Sequence, residues 1–202
     1  MPALLEAAAA AVNRSREEVK SFRKLAEGGF NRAFVVTMQD GFEMIARLPY
    51  PVTQPKALAP ASEVATMDLL RSHGVQAPCV YGYCTDANNS VGTEYILMEK
   101  VPGRPLADIW FELSDKQRVR ILGEIVDEEA KLFGINFPAY GSIYYPRDLP
   151  SQFGRVAVES GMHRYCIGPD VSLKNWFGSR ENLDIQRGQG MDPRIHQVAL
   201  TG

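Results

Sequence analysis

A pair of glycines between two candidate strands, Gly28 and Gly29, constrains the fold of this chain more than any other feature. The residues around the pair, 25–34, are typical of a strand, a tight turn and a second strand. Because glycine has no side chain, backbone N–H groups at such a turn can approach the oxygen atoms of a phosphate closely. An ordinary hairpin turn is the alternative interpretation. The rest of the sequence has to decide between the two.

The length and the charge of the chain exclude several classes of protein. Its 202 residues are 45% hydrophobic, which is enough for one domain or two small lobes with a packed core. The net charge of -2 leaves no basic face, so no nucleic-acid partner is expected. The apolar stretch 7–12 is too short to span a bilayer, and no transmembrane segment is expected. Glu6, Glu17 and Glu18 are atypical of a transit peptide.

The cysteines predict neither a disulfide framework nor a zinc site. The chain has an odd number of cysteines, Cys79, Cys84 and Cys166, and no two of them form a C-x-x-C pair. We therefore expect reduced thiols, at least one of them a core residue, and an intracellular, reducing compartment.

Hydrophobic periodicity and turn signals predict three strands, a helix and two more strands in the first half of the chain. Asp40-Gly41 is the strongest hairpin signal, and Pro49, Pro51 and Pro55 impose an irregular loop after the strand that follows it. The predicted order is a helix over 2–12, strands on both sides of the glycine pair and over 42–48, a helix over 60–74, and strands over 78–84 and 93–98.

A proline–glycine linker, 102–105, separates this sheet from a second part of the chain. A short helix over 106–113 is followed by a long one, which begins with the capping box Ser114–Gln117 and ends at Gly134. The later predictions are short strands over 140–145 and 155–158, a helix around Trp176, and a divergent, disordered tail over 189–202.

This order of elements resembles the protein-kinase-like fold of aminoglycoside phosphotransferases and choline kinases, and most closely its fungal altered-inheritance-of-mitochondria branch. The resemblance implies an α+β fold, in which a five-stranded antiparallel sheet with one helix forms the N-lobe, and a partial, mainly helical C-lobe follows. The implied boundaries are a helical segment over 1–18, the N-lobe over 19–101, the C-lobe over 102–188 and the tail over 189–202. The blocks that carry the resemblance are Gly28–Asn31, Ile45–Pro49, Ser62–Met67, Val91–Lys100 and Tyr165–Pro169, with Trp176.

The resemblance also implies an ATP site. Arg47 stands where these proteins have a lysine that holds the phosphates, and Glu63 stands where that lysine has its carboxylate partner. Arginine keeps the charge but not the geometry of lysine, so we expect ATP binding to be weak. The residues implied to contact the nucleotide are Gly28, Gly29, Phe30 and Asn31 at the turn, Ile45, Arg47, Glu63, and the hinge residues Met98 and Glu99.

The catalytic half of the family pattern is missing. The family places its base in a His-x-Asp loop and holds magnesium with an Asn and an Asp. None of His73, His163 and His196 is followed by x-Asp, so we assign no catalytic residue and no metal ligand, and expect no magnesium. The expectation is a truncated phosphotransferase-like protein that keeps the nucleotide-cradling lobe and transfers no phosphoryl group by itself.

Two other functions fit the sequence. The chain can be a non-catalytic module that self-associates or binds a protein partner through exposed C-lobe surface. It can also be a fragment of an active small-molecule kinase. A kinase that is active through an unrecognised site would need a new carboxylate pair for its metal; 127–129 is the acidic cluster in the sequence, although a solvated helix face is the more usual role of such a cluster. The resemblance implies mitochondria as the compartment, with the cytoplasm as the alternative.

Overall fold

The computed structural model describes residues 1–159, 162–183 and 187. A five-stranded antiparallel sheet dominates the first half of the chain, as predicted. Its strands are β1 (Val19–Glu27), β2 (Asn31–Met38), β3 (Glu43–Pro49), β4 (Val80–Cys84) and β5 (Tyr95–Glu99). Their spatial order is β1-β2-β3-β5-β4. The hairpin between the second and third strands forms at Asp40-Gly41, where Gly41 takes the positive φ of 90° that this turn needs.

One face of this sheet is covered by the first helix, α1 (Pro2–Ala10). Leu4 and Ala8 of α1 have no exposed surface and pack against Met44 and Leu97 of the sheet. The alternation of the strands explains this packing, because side chains two residues apart point to the same face. The N-terminal helix is therefore part of the core of the sheet.

The second helix, α2 (Leu58–Ser72), lies between two sheets. It ends where Gly74 adopts a left-handed conformation with a φ of 73°. One side of α2 faces β4 and β5 of the large sheet. The other side packs against a three-stranded antiparallel sheet of order β6-β8-β7, which we call the small sheet. Its strands are β6 (Ser142–Tyr144), β7 (Val156–Glu159) and β8 (Met162–Gly168).

The remaining helices follow the proline–glycine linker. A short helix, α3 (Leu106–Ile109), leads through a single 3-10 turn into α4 (Asp115–Phe133), whose predicted capping box is formed by Ser114 and Gln117. No residue of α4 is buried, and its apolar residues Val119, Leu122, Val126 and Phe133 are exposed. None of the helices within the described ranges is long and apolar enough to cross a membrane.

The structure departs from the sequence prediction near Trp176. Two 3-10 turns, Leu173–Asn175 and Gly178–Asn182, replace an α-helix there. The carboxylate of Asp170 accepts hydrogen bonds from the N–H and hydroxyl of Ser172 and from the side chain of Asn175, which holds the segment in a turn. The tail predicted over 189–202 lies outside the described residues.

Candidate functional site

A cavity of about 430 Å³ opens between the glycine turn, β3 and α2. Its wall also includes the proline-rich loop after β3 and the segment around Leu173, so both parts of the chain contribute to it. The residues that line it are Phe30, Asn31, Arg47, Pro49, Thr53, Gln54, Lys56, Ala59, Pro60, Ser62, Glu63, Thr66, Met67, Ile96, Val171 and Leu173.

Arg47 and Glu63 form an ion pair in the wall of this cavity. Arg47 lies on β3 opposite Ile96 of β5, and Glu63 projects from α2. The two side chains are 29% and 30% exposed, so water screens the pair only partly. Burial lowers the pKa of the Arg47 guanidinium, which nevertheless stays charged because the pKa of arginine in water lies far above neutral pH. The pairing implied by the resemblance is thus present in the structure.

The glycine turn is held against the loop that follows β3. The carbonyl of Phe30 accepts hydrogen bonds from the N–H of Tyr50 at 2.9 Å and from the hydroxyl of Thr53 at 2.8 Å. The Gly28 N–H donates to the Asn31 carbonyl at 2.9 Å. Among the described residues, the N–H groups of Gly29 and Phe30 have no protein acceptor.

Space at this turn is open. A Cβ atom added to Gly29 would meet no atom within 4 Å, and one added to Gly28 would meet only the Asn31 carbonyl oxygen, at 3.9 Å. This leaves room for a ligand beside the Cα atoms of the two glycines.

Lys56 also lines the cavity, and the sequence analysis missed it. Its ammonium group is exposed and has no carboxylate partner within the described part of the chain. Arg47 and Glu63 cancel each other's charge, so Lys56 gives the cavity its net positive charge. Its only sequence signal was a position in a proline-rich loop, which predicts irregular backbone and no ligand.

The residues implied to hold the adenine lie beside the cavity and do not line it. Ile45 and Met98 are direct partners across β3 and β5, and Ile45 shares the face of β3 that carries Arg47. The N–H of Glu99 donates to the Cys79 carbonyl at 2.8 Å, and its carboxylate accepts from the Cys79 N–H at 3.0 Å. The structure thus brings Phe30, Asn31, Arg47 and Glu63 together in one cavity, with Ile45, Met98 and Glu99 on the neighbouring strands.

The acidic cluster of α4 has a structural partner. Glu128 pairs with Lys131 at 2.7 Å and accepts a hydrogen bond from the Gln76 N–H at 3.2 Å, which ties the helix to the end of α2. Lys131 adds a hydrogen bond to the Gly74 carbonyl at 2.9 Å. In the ranges that the structure describes, no group of three or more His, Cys, Asp or Glu side chains is arranged to hold a metal ion. The three cysteines are free thiols, and Cys166 is buried.

The sequence of this chain is similar to that of a known protein family. Residues 21–164 match the phosphotransferase enzyme family. The chain belongs to that family. The matched region contains the glycine turn, the Arg47–Glu63 pair and most of both sheets; β1 begins before it and β8 continues beyond it.

Relatives of this phosphotransferase-family chain are found in several fungi. A subtelomeric hrmA-associated cluster protein of Aspergillus fumigatus is 43% identical over 166 residues, which cover 82% of this chain and 32% of that protein. Altered inheritance of mitochondria protein 9, mitochondrial, is 33% identical over 201 residues in Debaryomyces hansenii, covering 89% of this chain and 32% of the relative. The Candida tropicalis protein of that name is 32% identical over 180 residues, covering 82% and 29%. The chain thus spans about a third of the length of these relatives.

Proposed function

We propose that the cavity beside the glycine turn binds the phosphates of ATP weakly. The observation that carries this proposal is the Arg47–Glu63 ion pair in the cavity wall, next to Phe30 and Asn31 of the turn. An arginine held by a carboxylate is oriented and partly desolvated, and it keeps N–H groups that can donate to phosphate oxygens.

Two further groups support phosphate binding. The N–H groups of Gly29 and Phe30, which have no acceptor among the described residues, can donate to an anion. Lys56 supplies the positive charge that the neutral Arg47–Glu63 pair does not. Ile45 and Met98, which are paired across β3 and β5, stand at the place that this proposal gives to the adenine ring.

We further propose that the residues of this chain alone do not transfer the phosphoryl group. Transfer needs a base for the acceptor hydroxyl and ligands for magnesium, and no histidine of this sequence begins a His-x-Asp motif. The relatives are about three times as long as the chain. Within a longer protein the same cavity would be the nucleotide site of an active small-molecule kinase. The phosphate acceptor of such a kinase would be recognised by residues outside this chain.

Isothermal titration calorimetry with ATP tests the binding proposal. We expect a Kd of about 1 mM, which corresponds to roughly −4 kcal/mol. Glu63→Gln should weaken binding, because it releases Arg47 from its position. Glu43→Gln is the matched control, since the Glu43–Lys100 pair starts on the same strand and has similar exposure, 31% and 32%, but does not line the cavity.

Two outcomes would contradict these proposals. Absence of saturable ATP binding, or equal weakening in Glu63→Gln and Glu43→Gln, would show that the cavity is not the phosphate site. A phosphorylated product from the purified chain, ATP, magnesium and a panel of hydroxyl acceptors would show that it catalyses transfer unaided.

A second candidate function is a non-catalytic module that self-associates through α4. The observation that favours it is the exposed apolar side of that helix, on which Leu122 and Val126 are 51% and 59% exposed. Size-exclusion chromatography with light scattering should then show a dimer that Leu122→Glu dissociates. Glu124→Gln, on the same helix, is the control and should leave it intact. A protein that stays monomeric over a 100-fold range of loading concentration would rule this function out.

For the compartment we propose mitochondria, because the relatives in Debaryomyces hansenii and Candida tropicalis carry that word in their names. Fluorescence microscopy of the tagged full chain in a fungal host checks this proposal. Signal spread through the cytoplasm would favour the alternative.

A further inference from the structure

One carboxylate on α2, that of Asp68, joins this helix to the small sheet. Its Oδ2 atom accepts hydrogen bonds from the hydroxyls of Tyr145 at 2.5 Å and Tyr165 at 2.9 Å, and from the guanidinium of Arg164 at 2.6 Å. The three donors lie 77 to 97 residues further along the chain. The rings of Tyr145 and Tyr165 stack with their centroids 5.7 Å apart, and Arg164 lies over Tyr165. These four side chains form the Asp68 cluster.

The charges in the Asp68 cluster favour a fixed geometry. Burial works to raise the pKa of Asp68, but the hydrogen bonds from Tyr145 and Tyr165 and the charge of Arg164 outweigh it and hold the pKa below its usual value. Burial and the hydrogen bond to Asp68 raise the pKa of Tyr165 to about 12. At neutral pH the carboxylate is therefore ionised while both hydroxyls remain donors, and charge-assisted bonds of this kind are the stronger ones.

The position of the cluster on α2 connects it with the cavity. Asp68 follows Glu63 by five residues, which places the two carboxylates about 140° apart around the helix. Ala65 and Leu69 pack against Tyr165 and Ile167 of the small sheet, so the Asp68 side of α2 is anchored. A rotation or a slide of α2 that took Glu63 away from Arg47 would also have to break the bonds to Asp68.

We propose that Asp68 is a positioning residue, which sets the rotation of α2 so that Glu63 meets Arg47 and thereby couples the small sheet to the cavity. The coupling between Asp68 and the Arg47–Glu63 pair is a property of the fold. Its effect on ligand affinity rests on the proposed ATP site.

A merely structural role for Asp68 has to be distinguished from positioning. The chain offers a matched contact, in which the Tyr83 hydroxyl of β4 donates to Asp148 at 2.6 Å. This bond also joins the large sheet to the segment after β6, but it does not involve α2. Tyr83→Phe therefore removes this bond, and the one that Arg147 donates to the Tyr83 hydroxyl at 3.0 Å, while all three donors to Asp68 stay in place.

The experiment measures two quantities: the NMR resonance of Arg47, which reports on its pairing with Glu63, and the Kd for ATP. In the full chain, the Nε–Hε resonance of Arg47, assigned by its loss in Arg47→Lys, should move toward the free-arginine position in Asp68→Asn and stay in place in Tyr83→Phe. The Kd for ATP should rise about fivefold to tenfold in Asp68→Asn, the equivalent of one typical hydrogen bond, and stay within twofold in Tyr83→Phe. Tyr165→Phe keeps the Asp68 carboxylate and the aromatic ring, so it should shift the Arg47 resonance in the same direction by a smaller amount.

An Arg47 resonance at its wild-type position in a folded Asp68→Asn or Tyr165→Phe protein would overturn the inference. If Asp68→Asn does not fold, Tyr165→Phe decides alone. If the wild-type chain binds no ATP, the proposed ATP site fails while the resonance still decides the role of Asp68.

Discussion

The Arg47–Glu63 ion pair should stabilise the fold by an amount that a double-mutant cycle can measure. Fully exposed pairs contribute about 0.2–1 kcal/mol, whereas breaking a fully buried pair costs about 3–5 kcal/mol. The side chains of Arg47 and Glu63 are 29% and 30% exposed, which places the pair between these limits. We expect a coupling free energy of about 1–2 kcal/mol between Arg47→Met and Glu63→Gln, since part of the attraction is offset by desolvation.

The assay is urea unfolding of the wild type, both single variants and the double variant, monitored by tryptophan fluorescence. Each single variant leaves one charge half-buried without its partner, so the double variant should be more stable than the sum of the two losses predicts. Addition of ATP should increase the stability of the wild type and have little effect on the Arg47→Met variant.

The Glu43–Lys100 pair supplies the control cycle. Its atoms are 2.7 Å apart and its side chains 31% and 32% exposed, but lysine is a flexible point charge, so we expect a coupling of about 0.5 kcal/mol. ATP should leave this cycle unchanged. Coupling between Arg47 and Glu63 below about 0.3 kcal/mol, near the limit of additivity for distant sites, would refute the reasoning.

Four shorter predictions address other parts of the chain. Leu4→Ala should lower the free energy of unfolding by about 3 kcal/mol in a urea titration, because Leu4 is fully buried in the core of the large sheet. Gly141→Ala should prevent formation of the small sheet, seen as lost hydrogen-exchange protection, since its φ is 140° and a Cβ would overlap the Gly168 carbonyl. Lys56→Gln should raise the Kd for ATP about fivefold, the loss of one exposed charge–phosphate contact. The lowered pKa of Asp68 contributes stability that is present above the usual carboxyl pKa and lost as pH falls through the folded value, so below about pH 4 the wild type should lose stability more steeply than Asp68→Asn.

The sequence predicts the large sheet well because each of its signals is local. Asp40-Gly41 and the glycine pair are turn signals within a few residues, and the apolar alternation of the strands is visible in short windows. The packing position of α1, in contrast, has no local signal in the sequence. Its alanine-rich sequence predicts a helix, but no local pattern indicates that Leu4 and Leu5 complete the core of a sheet that begins at Val19.

The residues of the candidate site likewise include some that the sequence identifies and some that it does not. Arg47 and Glu63 were identified by the positions they share with a family, and the structure places them in contact. Lys56 was not identified because its contribution depends on how an irregular loop folds back over α2. The strand β8 was missed for a related reason, since Tyr165, Cys166 and Ile167 are buried in succession and give no two-residue alternation.

The place of α2 between two sheets has a consequence for synthesis on the ribosome. The helix and the large sheet are complete once Glu99 has emerged, but the strands that cover the other side of α2 end at Gly168. At about 5–20 residues per second, Leu58, Ala61 and Leu69 remain uncovered for several seconds while the intervening chain is made. During that interval the nascent chain presents an apolar helix face that a chaperone can bind, and its folding is completed only when β8 arrives.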